Sequence, residues 1–349
     1  MWSTWLRKPE AFTLLGILGL AVSLRFYGLA WNPGIYTDEG CNLELAWNLA
    51  RGESRFEALN FYWTTRAPLF YLAQAPLQLL AGQPSLFSLL LQRGFTCGLG
   101  LLMVAAVYFT AGRLYRGWLP AFLAGLLMAG FLFEVQYERF GFGDYVLAGV
   151  LLSWMGYMVS VNRLGWASVL AGLACLANYY AVIPVLAFTV AQVFHGEGWD
   201  RLRKAFTLIS PTLIVFSTLL IIMVTRYGDS YAGEVFFMIR RTSNMGEPPL
   251  VNLQEATEFF KNLARFYVQA PFLTFPVTLT AGWLVFKGET RQVKTFGLAF
   301  LLSQPLILKL MVVTLDGTYK LAVYYWMFPL ILAGAVPKFK TCRFKGKPA

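Results

Sequence analysis

Apolar residues in this chain are gathered in long, nearly continuous runs, and short polar segments separate one run from the next. Several runs approach the ~20 residues that a helix needs to cross a bilayer. The pattern therefore predicts an all-α polytopic membrane protein with about ten transmembrane helices in a single domain, residues 1–349. The predicted helices are 11–31, 88–110, 118–134, 145–160, 166–178, 180–194, 205–225, 264–286, 295–312 and 321–336.

Composition supports this assignment and excludes a soluble class. Hydrophobic residues make up 57% of the 349 residues and charged residues only 13%, whereas soluble proteins carry about 25% charged residues. No soluble domain is predicted. The chain has one histidine, His195, so mechanisms that need a pair of histidines are excluded.

The distribution of the net charge of +11 along the chain indicates how the chain is oriented in the membrane. When the loops are assigned alternately to two sides, one side collects 16 basic residues and four acids, and the other side holds 14 of the 18 acids. The positive-inside rule places both termini and the basic loops in the cytoplasm of a multi-pass protein of the cytoplasmic membrane. Nucleic acid is not an expected partner. Membrane lipids are, since the basic tail 338–347 can contact anionic head groups.

The N-terminus, with Arg7 and Lys8 before an apolar run, is similar to a secretory signal peptide. An uncleaved first helix is the favoured interpretation, because the rest of the chain is itself apolar. Two outer loops, 32–87 and 226–263, are long, and long loops on one side of a rigid scaffold commonly carry function.

The first outer loop predicts a helix with Asp38 at its beginning. Pro33 and Gly34 turn the chain, Thr37 or Asp38 can cap a helix, and apolar residues then recur at helical spacing up to Gly52. We expect this helix to lie along the outer membrane surface. Asp38 is either a helix cap alone or a functional carboxylate just above the bilayer.

The segment 64–71 (TTRAPLFY) predicts a second interfacial or partly inserted helix, ending near Leu80. Arg66 precedes its first turn, where a basic side chain can bind an anion such as a lipid phosphate. The alternative is an arginine whose head group reaches the lipid head groups without a specific ligand.

The segment 136–145 (QYERFGFGDY) places Glu138, Arg139 and Asp144 at the junction of two apolar helices. Charges at membrane depth are costly unless they are paired or face water, so they mark a functional candidate. A structural ion network among the three is the alternative.

The order of these segments resembles the GT-C superfamily of polyprenyl-phosphate-sugar-dependent glycosyltransferases. The closest likeness is to the branch with protein O-mannosyltransferases and lipid A aminoarabinose transferases. It rests on the Asp-Glu pair in the first outer loop, the Pro-aromatic segment, residues 112–117 (GRLYRG), Arg139 with Asp144, and residues 324–329 (YYWMFP). The resemblance implies a GT-C-like bundle with interfacial helices in the first outer loop.

The resemblance also implies roles for several residues. Asp38 corresponds to the catalytic residue of that family, and its neighbour Glu39 is the second catalytic candidate. The other matches are Arg66 as a contact of the donor phosphate and Asp144 as the acidic residue after the third helix. The family usually has a lysine where this chain has Asn178, in residues 176–180 (LANYY), so Asn178 and Tyr179 are further site candidates. Either this chain lacks that phosphate contact, or Arg139 or Lys309 supplies it.

The implied function is transfer of a sugar from a polyprenyl-phosphate donor to an acceptor hydroxyl, on the outer face and with inversion. The acceptor is a lipid, a glycan or a protein. No cofactor is required, and a divalent cation beside the carboxylates would be bound by oxygen. Two alternatives remain open: a transporter or flippase of a lipid-linked sugar, and a non-catalytic membrane scaffold subunit.

Overall fold

The computed structural model of the chain describes residues 9–31, 37–53, 67–141, 143–195, 197–243, 271–312 and 322–336. At some helix ends, among them Asp38 and Lys309, the description covers the backbone alone. All regular structure in these ranges is helical. The all-α prediction is confirmed for the described part of the chain.

Fourteen α-helices are described, together with one short 3-10 turn, Tyr179–Ala181. The helices are α1 Pro9–Phe26, α2 Thr37–Ala50, α3 Leu69–Ala81, α4 Leu86–Tyr115, α5 Trp118–Ala129, α6 Leu132–Arg139, α7 Gly143–Ser160, α8 Leu164–Ala177, α9 Val182–Phe194, α10 Gly198–Ser243, α11 Pro271–Lys287, α12 Arg291–Val312, α13 Ala322–Tyr325 and α14 Met327–Ala333.

One predicted span is wrong in its boundaries. The run 118–134 does not form one helix: α5 ends at Ala129, the Gly130 N–H bonds back to Leu126 and Met128, and α6 begins at Leu132. The charged end of the run therefore lies in a separate short helix. In the run 321–336, α13 and α14 meet at Trp326, which keeps helical dihedral angles (φ −58°, ψ −23°), so residues 323–333 continue as one apolar helix.

Helix α4 stands in the centre of the first half of the chain. It packs against α1, α5, α6 and α7, and also contacts α2 and α3. Its length of 30 residues corresponds to ~45 Å at 1.5 Å per residue. Residues on α4 can therefore belong to sites at either end of the bundle.

The outer surface of the bundle is suited to lipid. Two helices in the described residues are long and apolar enough to cross a membrane, Leu86–Tyr115 and Gly198–Gly228. The first is mostly buried by protein, but only 17% of the most apolar stretch of the second is buried. A helix so apolar and so exposed would be costly in water, and hydrocarbon is its natural solvent. The protein is therefore membrane-embedded, while the number of ten spans stays a prediction.

The predicted helices of the first outer loop are present as α2 and α3. One face of α2 packs on protein, since Leu45 and Ala46 are buried and the helix packs against α3, and its placement along the membrane surface stays a prediction. In the second outer loop, α10 continues helically to Ser243 with a break in its dihedral angles at Gly228. Residues 244–263 of that predicted loop lie outside the described residues.

Candidate active site

Glu39, in the first turn of α2, is held by Arg93 of α4. Arg93 Nε donates to Glu39 Oε1 and Arg93 Nη2 donates to Oε2, both at 2.7 Å. Both side chains are essentially inaccessible to solvent. The third nitrogen, Arg93 Nη1, donates to the Leu29 carbonyl at 3.0 Å. A two-point pair of this geometry fixes the guanidinium and the carboxylate in one plane and so fixes the start of α2 against α4.

The turn between α6 and α7 approaches the Glu39–Arg93 pair at Gly141. This residue has φ of 65°, and a Cβ built on it would lie 3.0 Å from Gln92 Nε2 and 3.3 Å from Glu39 Oε1. Only glycine combines that backbone conformation with so close an approach. The Gly141 carbonyl also accepts long hydrogen bonds, both 3.5 Å, from Asn42 Nδ2 and Gln92 Nε2. Asn42 in turn accepts from the Tyr71 hydroxyl at 3.0 Å, which adds α3 to the network.

Asp144 lies three residues beyond Gly141, in the first turn of α7, and is 3% exposed. Asn178 Nδ2 donates to Asp144 Oδ2 at 3.2 Å. The opposite end of the same amide, Asn178 Oδ1, accepts from the Tyr180 N–H at 3.0 Å and caps the 3-10 turn. The asparagine thus joins Asp144 to the break between α8 and α9. A lysine at position 178 can donate to Asp144 but cannot accept from Tyr180.

Glu138 pairs with Arg25 of α1 and not with Arg139 or Asp144. Arg25 Nε contacts Glu138 Oε2, Arg25 Nη2 donates to Oε1 at 3.2 Å, and both side chains are fully buried. Arg25 Nη1 also donates to the Ala129 carbonyl at 2.8 Å, at the point where α5 ends. This pair ties α1 to the short helix α6. One turn earlier, Glu134 is also fully buried, and neither of its carboxylate oxygens has a hydrogen-bond partner in the structure.

The described contacts of Arg139 and Tyr179 are with residues outside the network above. Arg139 is partly exposed and donates from Nη1 to the Leu24 carbonyl at 2.9 Å. Tyr179 packs edge-on against Phe216 of α10, with ring centroids 6.3 Å apart. The alternative of an ion network among Glu138, Arg139 and Asp144 does not match these contacts. Glu138 and Arg139 both bond to α1, at Arg25 and at the Leu24 carbonyl, whereas Asp144 accepts from Asn178.

Three predicted site residues cannot be placed by their side chains. The backbone of Asp38 lies in the first turn of α2, directly before Glu39, and the backbone of Lys309 lies in α12. Their side chains, and the whole of Arg66, lie outside the described residues. Asp38 nevertheless shares its helical turn with Glu39, whose position is fixed by Arg93 and Gly141.

No group of three or more His, Cys, Asp or Glu residues that could hold a metal ion is found in the described ranges. The carboxylates of Glu39 and Glu138 are each occupied by an arginine.

Sequence reasoning missed the two arginines that organise this site. Arg25 and Arg93 both lie inside predicted apolar runs, 11–31 and 88–110, where a charge is costly without a partner. A charge inside an apolar run indicates that each arginine needs a buried acid as its partner. The run does not indicate which acid that is.

Several solved structures share this fold. ArnT from Cupriavidus metallidurans, bound to undecaprenyl phosphate, matches with a TM-score of 0.63 and 14% identity over 94% of this chain and 60% of that one. The apo oligosaccharyltransferase of Archaeoglobus fulgidus matches with a TM-score of 0.58 and 11% identity over 95% of this chain and 50% of that one. The same archaeal enzyme, AglB, in complex with an inhibitory peptide and a dolichol-phosphate, gives the same values.

This chain spans about half to 60% of the length of these neighbours. No protein-family model and no curated protein sequence matches it. At 11–14% identity the likeness establishes the shared fold, and the activity has to be argued from the residues of the site.

Proposed function

We propose, on the premise that this chain has the GT-C fold of those glycosyltransferases, that it transfers a sugar from a polyprenyl-phosphate donor to an acceptor hydroxyl. The observation that carries the proposal is the junction of α2, α4 and the α6–α7 turn. There the Glu39–Arg93 pair and Gly141 hold the helical turn that contains Asp38, and Asp144 begins the next helix. Neighbours with this fold were solved with undecaprenyl phosphate and dolichol-phosphate.

In the proposed reaction Asp38 is the general base. It accepts the proton of the acceptor hydroxyl as the acceptor oxygen attacks the anomeric carbon. The bond between that carbon and the donor phosphate oxygen breaks, and polyprenyl phosphate leaves. A single displacement inverts the configuration at the anomeric carbon. Arg66, with Arg139 or Lys309 as a helper, neutralises the negative charge that develops on the leaving phosphate.

Glu39 has a different role in this proposal from the one implied by resemblance. Both of its carboxylate oxygens are bound by Arg93 at 2.7 Å, so it is poorly suited to accept a proton from substrate. We assign Glu39 as a positioning residue that holds the first turn of α2. Asp144, joined to Asn178, is a second carboxylate for orienting the acceptor or a cation.

The proposed donor also determines where the reaction takes place. A lipid-linked sugar phosphate lies with its chain between helices and its phosphate at head-group depth. We place the site on the outer face of the cytoplasmic membrane, because nucleotide-activated sugars are confined to the cytoplasm and a lipid carrier is needed beyond it. The sugar is a hexose or a pentose, and the acceptor is a lipid, a glycan or a protein.

The test is sugar transfer by the full chain in reconstituted vesicles, with a panel of labelled polyprenyl-phosphate sugars and candidate acceptors. Wild type is compared with Asp38→Asn and with Glu44→Gln. Both variants remove one negative charge from α2, but Glu44 is partly exposed and lies outside the site. We expect Asp38→Asn to lose at least ~100-fold in rate while it still binds the donor, and Glu44→Gln to keep wild-type rates.

Other results would favour the alternatives. Movement of the labelled lipid across the vesicle membrane without transfer would identify a transporter or flippase. Donor binding with neither transfer nor movement, unchanged by Asp38→Asn, would indicate a scaffold subunit. Equal losses in the Asp38 and Glu44 variants would show that the charge of α2, and not the base, matters.

A further inference from the structure

A cavity of about 350 Å³ opens at the opposite end of the bundle from the candidate active site. It lies where the C-terminal ends of α4, α7 and α9 meet the beginnings of α10 and α12. Helix α7 separates the two places: Asp144 is in its first turn and Asn162 of the cavity follows its last. The 18 residues of α7 correspond to ~27 Å.

The charged lining of this cavity is basic. It contains Arg116, Lys204 and Arg291 and no acidic side chain. Lys204 pairs at 2.5 Å with Asp200, whose side chain is 51% exposed and lies outside the lining. Two nitrogens of Arg291, Nε and Nη2, are buried and have no hydrogen-bond partner among the described residues. Buried guanidinium N–H groups are unfavourable without an acceptor, so these two donors favour binding of one.

Neutral donors complete the lining. Asn162, Gln192 and Thr290 contribute amides and a hydroxyl, and Thr295 lies buried at the base. The cavity also receives the N-terminus of α12, a helix of 22 residues, where backbone N–H groups and the helix dipole favour an anion. Thr290 Oγ1 already caps one of these groups, the Val293 N–H, at 3.2 Å.

The backbone on two sides of the cavity is held in the left-handed region. Arg116 has φ of 53° and Asn162 has φ of 60°, and they are the non-glycine residues with positive φ in the described ranges. Asparagine tolerates this conformation, but glycine is the usual residue at the C-terminal cap that Arg116 occupies. Arg116 therefore ends α4 in a conformation that glycine would adopt with less strain, and its side chain lines the cavity.

Positive charges lie close to His195, beside the cavity. Burial lowers the pKa of the neighbouring His195, and the charges of Lys294 and Arg291 lower it further. A histidine so placed is neutral near pH 7. A bound anion would oppose that effect, which makes His195 a reporter for the cavity.

We propose that this cavity is a phosphate-binding site, filled either by the head group of an anionic lipid or by a phosphate from solution. The Arg291 guanidinium supplies the two unpaired donors, Arg116 and Lys204 supply charge, and the α12 N-terminus supplies backbone donors. Planar guanidinium groups with backbone amides are the usual ligands of phosphate oxygens. The site is distinct from the proposed active site and does not depend on glycosyl transfer.

His195 allows a direct test, because it is the only histidine in the chain. The full chain, with labelled histidine, is placed in nanodiscs of phosphatidylcholine and titrated with inorganic phosphate at constant ionic strength. A parallel sample uses nanodiscs that contain phosphatidylglycerol. We expect a saturable shift of the imidazole signals and a raised pKa of His195 in at least one of the two experiments.

Variants connect the signal to the cavity. Arg291→Gln should weaken the effective probe at least ~10-fold, and Arg116→Gln should do so as well if Arg291→Gln fails to fold. Arg201→Gln is the matched control, since it removes a basic charge from an exposed residue outside the lining. It should stay within ~2-fold of wild type.

The two probes distinguish the source of the phosphate. A shift with phosphatidylglycerol that added inorganic phosphate does not reverse identifies a lipid head group. A shift with inorganic phosphate alone identifies a soluble ligand. The proposal is overturned if neither probe produces a saturable shift, or if the Arg291, Arg116 and Arg201 variants all respond like wild type.

Discussion

Arg93 and Glu39 meet at two points, Nε with Oε1 and Nη2 with Oε2, each at 2.7 Å and with both side chains closed off from solvent. The two residues are 54 positions apart in sequence. Their contact joins the first described helix after the first transmembrane run to the central helix of the bundle. The contact therefore fixes the position of the first turn of α2, which contains Asp38, against α4.

Breaking this pair on one side should be costly. Glu39→Gln leaves a buried guanidinium without its counter-charge, and Arg93→Gln leaves a buried carboxylate. Each should destabilise the fold by about 3–5 kcal/mol. The double variant, which removes both charges, should lose less than the sum of the two single losses. Thermal unfolding of the four proteins in detergent measures this difference, and strictly additive losses would contradict the assigned contact.

Gly100 of α4 should not accept a side chain. A Cβ there would lie 2.2 Å from Glu138 Cδ, so Gly100→Ala must displace Glu138 from Arg25 and should lower the melting temperature. Gly98, on the same helix, has no atom within 4 Å of such a Cβ. Gly98→Ala should be neutral or should stabilise by about 0.5–1 kcal/mol. Equal effects of the two substitutions would show that α6 does not pack on α4 as described.

Transfer activity should depend on the sign of the charge placed at position 178. Asn178→Asp can still accept from the Tyr180 N–H, but it sets a second carboxylate against Asp144, where Asn178 Nδ2 now donates at 3.2 Å. We expect at least a ~10-fold loss of transfer from this repulsion. Asn178→Lys still donates to Asp144 and should retain more activity than the aspartate variant. Transfer rates and melting temperatures of both variants check this. The same loss in both would show that the effect of position 178 does not depend on the charge of Asp144.

His195 should make stability depend on pH below neutrality. Burial, with Lys294 and Arg291 nearby, lowers its pKa in the folded state from the ordinary value of about 6.5. The unfolded state then binds a proton more readily than the folded state as pH falls through that value. Stability is therefore unaffected above about pH 6.5 and is lost between there and the lower folded pKa.

The measurement is the melting temperature of wild type and His195→Gln from about pH 8 to about pH 5. Wild type should lose more stability than the variant on the acid side. A constant difference between the two across this range would mean that His195 titrates normally.

Metal removal should leave the proposed reaction intact. In the proposal arginines neutralise the leaving phosphate, and no cation is needed for that step. Transfer after treatment with a chelator should stay within ~2-fold of the untreated protein. A loss that added Mg²⁺ or Mn²⁺ restores would assign a cation to the proposed site, with Asp144 as the first oxygen ligand to test.

The sequence by itself determined the helical, membrane-embedded class and the existence of α2 and α3. These follow from local properties: apolar runs, helical spacing and the Pro and Gly residues that end them. It also singled out Glu138, Arg139 and Asp144 at the junction of two apolar helices, although it did not single out Arg25 and Arg93 inside the apolar runs.

Only the tertiary structure decided how those charges are paired. Glu39 and Glu138 are similar in sequence context, yet one pairs with Arg93, 54 residues later, and the other with Arg25, 113 residues earlier. The break of the run 118–134 into α5 and α6 belongs with this choice, because Arg25 binds both the Ala129 carbonyl at the end of α5 and Glu138 on α6. Pairing across such distances depends on which helices pack together, and local hydrophobic pattern carries no information about that.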